Sequence, residues 1–509
     1  MPDNAAAIVI DIGTTNCKVA CFSRRDASRL DERKFVTPKI TSPTGNVDFD
    51  IEALWQQVVA TMRSLIAATD CPVTHISIAS FGESGVFLDE AGNILTPMLA
   101  WYDRRGEEYL ATLTEADSQR LYQITGLPLH SNYSAFKMRW LLDNYALRGR
   151  NDLRWLHAPE VLLWRLTGAQ RTDTTLASRT LCLDLQQGSW SAQAADILQL
   201  PLDAFAPLLA PGEVAGWVTP ACREALGLTQ PVSVTLAGHD HMVGGRALQL
   251  QTGEVLNSTG TTEGILLLQP QPLLNEQARR DKLANGRYSL DNHFTLFASL
   301  PVGGFALEWV STTFRLSREE IDAALVQATL RYLSDEWQPE GLPLFIPHLR
   351  GSGSPYKNRH TRGLMYGLSD TLPHDELLLT VLLGLTMEFA NCFTCFAVPA
   401  GPALKVIGPA TRNPLWLQLK ADSLARTVEA IAFDEAVSVG ALLIACADVP
   451  PPEVRVAQRY QPDPQRSRAL QRYQQRWQAF YQFKLQQEGV ISPINQENCH
   501  VESNRYREK

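Results

Sequence analysis

A short strand followed by a turn of glycine and threonine occurs twice in this chain. Near the start, the strand-like run Ala7-Ile-Val-Ile10 leads into Asp11-Ile-Gly-Thr-Thr15, and Val19-Ala-Cys-Phe22 returns as a second strand. This order predicts a β-hairpin. Near the middle, Asn257-Ser-Thr-Gly-Thr-Thr262 follows another apolar run. The recurrence predicts a duplicated domain plan with a boundary close to residue 246.

The length fits this plan, because 509 residues exceed one ordinary hydrophobic core. Strand-like runs at residues 74–79, 232–237, 264–268 and 405–407 alternate with longer helical patterns at 51–69 and 376–396. The fold class is therefore mixed α/β. We expect one domain over residues 1–246, a second over 247–486, and a polar tail over 487–509 that has little to bury.

Composition excludes several classes of partner. The net charge of −8 is spread without a long run of one sign, which argues against nucleic acid and anionic membranes. Nine scattered cysteines do not suggest a disulfide framework, and Cys392 and Cys395 lack a second pair for zinc. The N-terminus has no signal-peptide pattern. A cytoplasmic protein with a small-molecule partner is expected.

The most apolar stretch, Leu377 to Ala400, is interrupted by polar residues. It carries Glu388 and Asn391 and contains Gly384. These residues favour a buried core helix over a bilayer span. Glu388 would then need a partner in the core, and we assign it no catalytic role.

The first turn carries groups suited to phosphate chemistry. Gly13 lets backbone N–H groups approach an anion, Thr14 and Thr15 donate hydrogen bonds, Asp11 can hold magnesium through water, and Lys18 offsets charge. The same residues are also turn formers, so a plain hairpin turn explains them equally well when the motif stands alone.

Two later glycine-containing segments are further candidates. The turn Ser258-Thr-Gly-Thr-Thr262 repeats the small hydroxyl residues around a glycine. The pair Gly303-Gly304 would let backbone approach a nucleotide, although such a pair is also common in ordinary loops.

In its motifs and their order, the chain resembles the FGGY carbohydrate kinase family, which includes glycerol kinase, xylulokinase and ribulokinase. The resemblance covers about residues 7–485. Its motifs are Asp11-Ile-Gly-Thr-Thr15 with Lys18, Ile76 to Asp89, Leu99-Ala-Trp-Tyr-Asp-Arg-Arg105, Leu162 to Gly168, Thr172-Asp173, Ala177-Ser-Arg-Thr180, Gly238-His-Asp-His241, Gly260-Thr261, Arg362-Gly363, Arg412 to Trp416 and Glu435 to Ala441.

The resemblance implies two actin-like, or ribonuclease H-like, domains flanking a catalytic cleft. It further implies ATP and Mg²⁺ as cofactors and a sugar or polyol as substrate, with the sugar bound mostly to the first domain and the nucleotide to the second. Closure of such a cleft excludes water from the reaction. Dimers are frequent among the enzymes that the chain resembles, so a homodimer is one of the open oligomeric states.

Asp240 matches the catalytic aspartate of the family. A carboxylate there accepts the proton of the attacking hydroxyl while its oxygen moves onto the γ-phosphorus. The alternative is an aspartate in a polar loop. Substrate contacts by the neighbouring His239 and His241 stay open, because many family members have another residue after this aspartate.

Three residues match substrate-binding positions. Glu83 would accept hydrogen bonds from neighbouring hydroxyls, Trp101 would form an apolar wall, and Asp103 would accept a further hydroxyl. A solvated glutamate and a core tryptophan are the alternatives.

The resemblance also assigns nucleotide contacts. Thr14, Thr15 and Lys18 would contact phosphate, with Asp11 near magnesium. Gly260 and Thr261 would contact phosphates from the second domain. For Lys18, a solvated surface position is the alternative.

The chain departs from the family pattern beside the expected adenosine. A run of two or three glycines is usual there, but only Gly408 matches, and Pro409 and Ala410 follow it. Proline lacks an N–H and alanine adds a β-carbon, so nucleotide affinity is in doubt. Asn413 is either a purine contact or a helix cap.

The leading hypothesis is ATP-dependent phosphorylation of a hydroxyl of a ketose or polyol. An alternative is a sugar-binding or regulatory protein of the same fold that has lost turnover, motivated by the altered glycine run. A chaperone-like ATPase is more distant, because no segment remains for a peptide-binding domain. Which sugar binds and which hydroxyl reacts cannot be told from the sequence.

Overall fold

The structure is a computed structural model that describes residues 4–289, 293–334, 337–399 and 401–491. Of the tail predicted over residues 487–509, residues 487–491 belong to the last helix, and 492–509 lie outside the described residues.

Within the described residues, the strands are numbered in chain order. They are β1 Ala6–Ile12, β2 Asn16–Ser23, β3 Arg29–Val36, β4 Lys39–Thr41, β5 Val47–Phe49, β6 Val73–Ser80, β7 Gly85–Leu88, β8 Met98–Leu99, β9 Arg154–His157, β10 Thr172–Asp173, β11 Leu183–Asp184, β12 Ser189–Trp190, β13 Leu208–Leu209, β14 Val214–Trp217, β15 Ser233–His239, β16 Val255–Thr259, β17 Glu263–Gln269, β18 Ala284–Arg287, β19 Phe294–Leu300, β20 Leu344–Ile346, β21 Leu364–Tyr366, β22 Leu404–Ile407, β23 Val428–Ala432 and β24 Arg455–Tyr460.

The α-helices of the same part of the chain are numbered likewise. They are α1 Ile51–Ala68, α2 Glu115–Thr125, α3 Ser134–Asn144, α4 Ala158–Thr167, α5 Thr174–Ala177, α6 Ala192–Leu198, α7 Pro220–Leu226, α8 Asp240–Ala247, α9 Glu276–Arg280, α10 Phe305–Phe314, α11 Arg318–Leu333, α12 His374–Thr394, α13 Pro414–Leu424, α14 Ala436–Ala445 and α15 Pro464–Ile491. Short 3₁₀ helices cover Glu107–Thr112, Leu202–Ala204 and Pro409–Arg412.

The chain divides into two compact units. The first consists of the described residues within Met1–Gly253, Leu266–Phe297 and Phe433–Arg455. The second consists of the described residues within Glu254–Ile265, Ala298–Ala432 and Val456–Lys509. The single boundary near residue 246 stays a prediction.

A six-stranded mixed sheet forms the centre of the first unit. Its strand order is β14-β15-β6-β1-β2-β3. The strands β1, β6 and β15 run parallel, whereas β2 is antiparallel to both β1 and β3. All seven residues of β1 are buried, as expected for a central strand covered on both faces. The predicted hairpin of β1 and β2 is thus confirmed.

The second sheet has seven strands in the order β18-β19-β17-β16-β22-β23-β24. Strand β16, which comes first in the chain among the strands of this sheet, lies between β17 and β22. In the first sheet, β1 likewise comes first and lies between β2 and β6. In both sheets the crossover strand is parallel to that central strand. The two mixed sheets confirm the α/β fold class and the repeated plan.

Helix α1 shows how local sequence builds the first core. Asp50 caps it by accepting a hydrogen bond from the Ala53 N–H at 3.0 Å. Its buried residues Leu54, Val58, Met62 and Leu65 recur every three or four positions, so they form one apolar face. That face packs in the core cluster that also contains β1 and β6.

The apolar stretch predicted as a core helix is α12. It is long and apolar enough to cross a membrane by composition, but 89% of its most apolar window is buried inside the protein. Glu388 on this helix has the partner that its burial requires, since its Oε1 lies 3.1 Å from His348 Nε2. The interpretation as a core helix is confirmed. Ala400, at the end of the predicted stretch, lies outside the described residues.

Candidate active site

Three parallel strands of the first unit end at the same edge of their sheet. Asp11 is the second-last residue of β1, Glu83 follows the end of β6 by three residues, and Asp240 directly follows β15. Because β15, β6 and β1 are neighbours, this edge gathers the predicted base, substrate residue and magnesium residue. Ligands of α/β proteins commonly bind at the carboxyl ends of parallel strands.

Asp240 begins α8 and is partly accessible. Its side chain is 27% exposed, and its Oδ1 accepts a hydrogen bond from the His241 N–H at 2.7 Å. A carboxylate in the first turn of a helix is stabilised by the helix dipole. The residue is therefore held in place and still has carboxylate surface for a reactant.

The backbone before Asp240 is fixed by a buried cluster. Gly238 has φ 110°, and a β-carbon there would lie 2.1 Å from Thr175 Oγ1. The Thr175 hydroxyl accepts a hydrogen bond from the His239 N–H at 2.8 Å and donates one to Asp173. Only glycine fits this position, since the close contact and the positive φ coincide.

His239 lies beside the predicted base but stays neutral. Burial, helped by the positive charge of Arg179, lowers the pKa of His239 well below its ordinary value. Its Nε2 is 3.6 Å from Asp240 Oδ1. His241 is more exposed, and its ring lies 4.8 Å from that of Phe297. His239 therefore brings no positive charge to the site at neutral pH.

Asp11 is buried among charged neighbours. Its pKa is raised to about 7, mainly by burial, and the negative charges of Asp240 and Glu435 raise it further while Lys18 lowers it. Asp11 and Lys18 face each other in the register of β1 and β2. A second positive charge, such as a metal ion, would stabilise the ionised carboxylate.

Lys18 forms an ion pair with Glu435, which precedes α14. The two side chains are 25% and 24% exposed. Burial alone would lower the pKa of Lys18, but the hydrogen bond and charge of Glu435, together with Asp11, raise it above its ordinary value. Lys18 is therefore a charged group of the site and not a solvated surface lysine.

Glu83 forms a buried ion pair with Arg179. Arg179 donates from Nε to Glu83 Oε1 at 2.9 Å, and its Nη2 lies 2.9 Å from the same oxygen. The Tyr133 ring lies 5.1 Å from the guanidinium, so the arginine packs over an aromatic face as well as against Glu83. Arg179 and Asp240 also attract each other. Burial alone would lower the pKa of Arg179, but negative groups that include Glu83 and Asp240 raise it above its ordinary value.

The absence of a side chain at Gly82 makes room for this pair. A β-carbon at Gly82 would lie 2.9 Å from Arg179 Cγ and 2.8 Å from His239 Cδ2. Glu83 itself has φ 68°, an uncommon backbone conformation for a residue with a side chain. The glycine at position 82 and the positive φ at position 83 thus allow the Arg179 side chain to pack directly against this backbone.

Trp101 connects the predicted substrate wall to the first phosphate turn. Its indole Nε1–H donates to Thr14 Oγ1 at 3.0 Å. Thr37 holds the same turn by donating from its hydroxyl to the Gly13 carbonyl at 2.6 Å and from its N–H to the Thr15 carbonyl at 3.0 Å. Thr15 is exposed, while Thr14 is half-buried.

Asp103 already has several donors in the protein. Its carboxylate accepts from the Val47 N–H at 2.6 Å and from Arg105 Nε at 2.7 Å. Burial opposes ionisation, but these hydrogen bonds outweigh it and lower the pKa of Asp103. A substrate hydroxyl at Asp103 would have to share these oxygens, and the role stays a prediction.

In the second unit, the turn after β16 is clamped by the Gly303-Gly304 pair. The Gly303 N–H donates to the Thr261 carbonyl and the Gly304 N–H to the Gly260 carbonyl, both at 2.8 Å. A β-carbon at Gly304 would lie 2.9 Å from the Gly260 oxygen. Both glycines therefore position the turn, in which Thr261 and Thr262 are exposed.

Gly408 approaches the same turn from β22. It has φ 92°, and a β-carbon there would lie 2.0 Å from the Thr259 oxygen. Pro409 begins a 3₁₀ helix, where a missing N–H costs little. Ala410 is buried and donates from its N–H to Thr259 Oγ1 at 3.1 Å. The local backbone thus accommodates the departure from the glycine run.

Asn413 is the N-cap of α13. Its side-chain oxygen accepts from the Trp416 N–H at 3.1 Å. The helix-cap interpretation is confirmed, and a purine contact by the same side chain stays a prediction.

Two domain families account for most of the chain. The N-terminal domain of the "FGGY family of carbohydrate kinases" matches residues 6–245. The C-terminal domain of the same family matches residues 255–449. The chain belongs to the FGGY family. It is accordingly an ATP-dependent carbohydrate kinase with the two-domain actin-like fold, as the motifs implied.

Relatives of this FGGY kinase are distant in sequence but similar over nearly their whole length. "Glycerol kinase 1" of Pseudomonas aeruginosa is 27% identical over 458 residues, covering 86% of this chain and 89% of the relative. Gluconate kinase from Lactobacillus acidophilus superposes with a TM-score of 0.84 at 18% identity, covering 97% and 99% of the two chains. Plasmodium falciparum glycerol kinase with ADP gives 0.84 at 17% identity, covering 95% and 98%. The structural likenesses support the fold.

Two charged residues of this FGGY kinase site were not predicted as site residues. Arg179 and Glu435 each lie in a motif that carried the resemblance, but no role was attached to them. The charge of each residue within a matched motif was the available signal. Their partners, Glu83 and Lys18, are 96 and 417 residues away in sequence, so local pattern does not reveal the pairs.

Proposed function

We propose that this FGGY kinase transfers the γ-phosphoryl group of ATP to a hydroxyl of a ketose or polyol, with Asp240 as the general base. The observation that carries the proposal is the position of Asp240. It directly follows β15 at the sheet edge that also carries Asp11 near the end of β1 and Glu83 after β6, and its charge interacts with those of Asp11 and Arg179. This arrangement joins a residue suited to metal and phosphate with residues suited to hydroxyls.

In the proposed reaction, the Asp240 carboxylate accepts the proton of the substrate hydroxyl. The hydroxyl oxygen then forms a bond to the γ-phosphorus, the bond to the bridging oxygen breaks, and ADP leaves. Asp240 is partly exposed, so a hydroxyl can reach it. Proton acceptance by a positioned carboxylate typically contributes a factor of about 10² to 10⁴ to the rate.

Glu83 and Arg179 are proposed to bind substrate hydroxyls. The Glu83 carboxylate can accept a hydrogen bond from the hydrogen of a substrate hydroxyl, and the Arg179 guanidinium can donate one to a hydroxyl oxygen. The pair has no net charge and is buried. This favours a neutral ketose or polyol, with Trp101 as the apolar wall.

Magnesium is proposed to bind with the nucleotide near Asp11. Among the described residues no group of three or more His, Cys, Asp or Glu side chains is arranged to hold a metal ion. Magnesium in kinases typically uses one or two carboxylates together with phosphate oxygens and water. Asp11 with its raised pKa fits such a site, and a bound ion would neutralise charge on the phosphates.

The nucleotide phosphates are proposed to contact Thr14, Thr15 and Lys18 of the first unit and Gly260 and Thr261 of the second. The exposed hydroxyls of Thr15 and Thr261 support this. The clamp formed by Gly303 and Gly304 supports a preformed turn, which lowers the entropy lost on binding.

A substrate panel tests the proposed function. Pentuloses, hexuloses, tetritols, glycerol and gluconate are each incubated with ATP and Mg²⁺, and ADP release is measured. The relatives are named for glycerol and gluconate, so both classes belong in the panel. Activity on a neutral ketose or polyol supports the proposal, whereas activity on gluconate alone contradicts it.

An Asp240→Asn variant tests the base. We expect kcat to fall by about 10² to 10⁴ with unchanged AMP-PNP binding, because the amide cannot accept the proton. Full activity of this variant would exclude Asp240 as the base.

A homodimer in the cytoplasm is also proposed, and light scattering on the purified protein tests the dimer.

A further inference from the structure

Glu435 has an uncommon backbone conformation. Its φ is 60° and its ψ is 43°, in the left-handed region. Among the described residues, Glu83 and Glu435 are the glutamates with positive φ. For a residue that carries a side chain, such a backbone conformation costs free energy in the folded state. Residues in these conformations are concentrated at functional sites.

The position of Glu435 is fixed by the packing of α14 against α8. A β-carbon at Gly440 would lie 2.0 Å from the Val243 oxygen, so the two helices are in close backbone contact. Glu435 directly precedes α14, and Asp240 is the first residue of α8. The start of α14 is therefore tied to the helix that carries the proposed base.

Stability does not explain the Lys18–Glu435 pair. Both side chains are about one quarter exposed, at 25% and 24%. Ion pairs with this much exposure contribute little to folding. The strained backbone of Glu435 opposes folding as well.

The surroundings of the pair point to a role in phosphate binding. Lys18 is a positive charge that acts on the carboxylates of Glu435, Asp11 and Glu32, and Asp11 in turn interacts with Asp240. An ammonium group has three N–H donors, so a bond to Glu435 leaves two for other acceptors. Lys18 is opposite Asp11 in the register of β1 and β2, one position from the turn that carries Thr14 and Thr15, which are proposed to bind phosphate.

We propose that Glu435 is a positioning residue, which holds the Lys18 ammonium beside Asp11 so that it binds the phosphates of ATP. This inference rests on the proposed contact between Lys18 and phosphate. A lysine side chain has four rotatable bonds, and fixing its end in advance lowers the cost of binding. Glu435 acts through Lys18 and does not itself touch the nucleotide.

Glu435→Gly is the main variant, because glycine adopts positive φ without strain while the whole side chain, with its carboxylate, is removed. We expect the KM for ATP and the Kd for AMP-PNP to rise about tenfold, within the range seen when a partner of a site ligand is lost. The KM for the sugar or polyol stays unchanged. Glu435→Gln keeps an oxygen acceptor for Lys18, so its loss is smaller.

A double-mutant cycle with Lys18→Met shows whether Glu435 acts through Lys18. In the Lys18→Met background, Glu435→Gly is expected to have no further effect on AMP-PNP binding. A full additional loss in that background would overturn the inference. A lower KM for ATP in Glu435→Gly would also overturn it, because Glu435 would then compete with phosphate for Lys18.

The Lys405–Glu254 pair provides a matched control. It is another lysine–glutamate pair, 2.6 Å apart, with side chains 16% and 24% exposed. Glu254→Gly is expected to leave AMP-PNP binding unchanged. Calorimetry with AMP-PNP needs no sugar, so it tests the role of Glu435 even if no sugar in the panel is phosphorylated. A wild-type protein that is inactive on the whole panel would contradict the proposed function. An AMP-PNP affinity in Glu435→Gly equal to that of the wild type would contradict this inference alone.

Discussion

Arg179 donates a hydrogen bond from Nε to Glu83 Oε1 at 2.9 Å, its Nη2 lies 2.9 Å from the same oxygen, and both side chains are 9% exposed. A buried pair of this kind leaves a costly unpaired charge when one partner is removed. The pair also lies close enough to the proposed base for Arg179 and Asp240 to attract each other. It therefore links the stability of the first unit to its proposed substrate site.

We predict that Glu83→Gln weakens substrate binding and leaves nucleotide binding intact. The amide loses one hydroxyl acceptor and the charge opposite Arg179. Removing one buried hydrogen-bonding partner of a charged group costs about 1.5–3 kcal/mol, so kcat/KM for the sugar should fall about 10- to 100-fold. Steady-state kinetics with each substrate varied in turn measure this. Glu453→Gln, whose side chain is 78% exposed, is the control, and a loss confined to ATP would contradict the prediction.

We predict that Lys420→Met strongly destabilises the second unit. Lys420 and Glu263 form a fully buried ion pair, with both side chains 0% exposed, and Lys420 also donates to Asn257 Oδ1 at 2.6 Å. Leaving Glu263 unpaired should cost about 3–5 kcal/mol. Urea unfolding measures the change in the free energy of unfolding.

Two companion variants test the cause of that loss. Lys420→Met with Glu263→Leu removes both charges and should recover much of the stability. Arg318→Ala breaks an exposed pair, in which the side chains are 89% and 66% exposed, and should change stability by less than about 0.5 kcal/mol. If the double variant is no more stable than Lys420→Met, the unpaired charge is not the cause.

We predict that Gly408→Ala impairs the second unit more than Gly401→Ala does. Both glycines have positive φ, 92° and 115°, but a β-carbon would meet the Thr259 oxygen at 2.0 Å only at Gly408. The shared φ strain should cost about 1 kcal/mol at either position. The additional contact at Gly408 should displace the Thr259 turn, lower the melting temperature further and weaken AMP-PNP binding. Equal effects of the two variants would exclude the close approach as the cause.

We predict that Asp173→Asn changes how stability depends on pH. Burial raises the pKa of Asp173 to about 7 in the folded protein, from an ordinary value of 3.8. The folded state thus binds the proton more tightly than the unfolded state between these values, so stability is fully present below about pH 4 and falls as the pH rises to about 7. The difference corresponds to at most about 4 kcal/mol.

The asparagine does not titrate, so the variant lacks this loss of stability. The free energy of unfolding of the variant, relative to that of the wild type, should therefore be more favourable at pH 8 than at pH 4.5. Urea unfolding at these two pH values measures the gain. A residual slope is expected from Asp11, whose pKa is raised to about 7 by the same cause and which is unchanged in the variant. Asp322→Asn, at a side chain 66% exposed, should leave the slope as it is, and equal slopes for wild type and Asp173→Asn would refute the prediction.

Local sequence was sufficient for the parts of the site that lie within a few residues of each other. The turn at Asp11 to Thr15 follows a run of small and β-branched residues, and this local order was enough to predict a strand and a hairpin. The cap at Asn413, one of the two roles that the sequence left open, is also a local hydrogen bond, to the N–H three residues later. The order of the motifs was sufficient to identify the family.

Local sequence was not sufficient where a residue depends on a distant partner. Gly303 and Gly304 were predicted to approach a nucleotide, yet their N–H groups are bonded to the turn after β16. Asp103 was predicted to accept a substrate hydroxyl, yet its oxygens already accept from Val47 and Arg105. Packing decides these protein partners, which local sequence does not reveal, and the predicted contacts with nucleotide and substrate stay predictions.

The two strand and turn signatures with which the sequence begins determined the repeated α/β plan, because hydrophobic periodicity and turn residues act over short distances. Tertiary structure alone decided that Lys18 meets Glu435 across 417 residues and that Glu83 meets Arg179 across 96. Such pairs form only when packed strands and helices bring their ends together, and the energy of each pair depends on burial that no local segment contains.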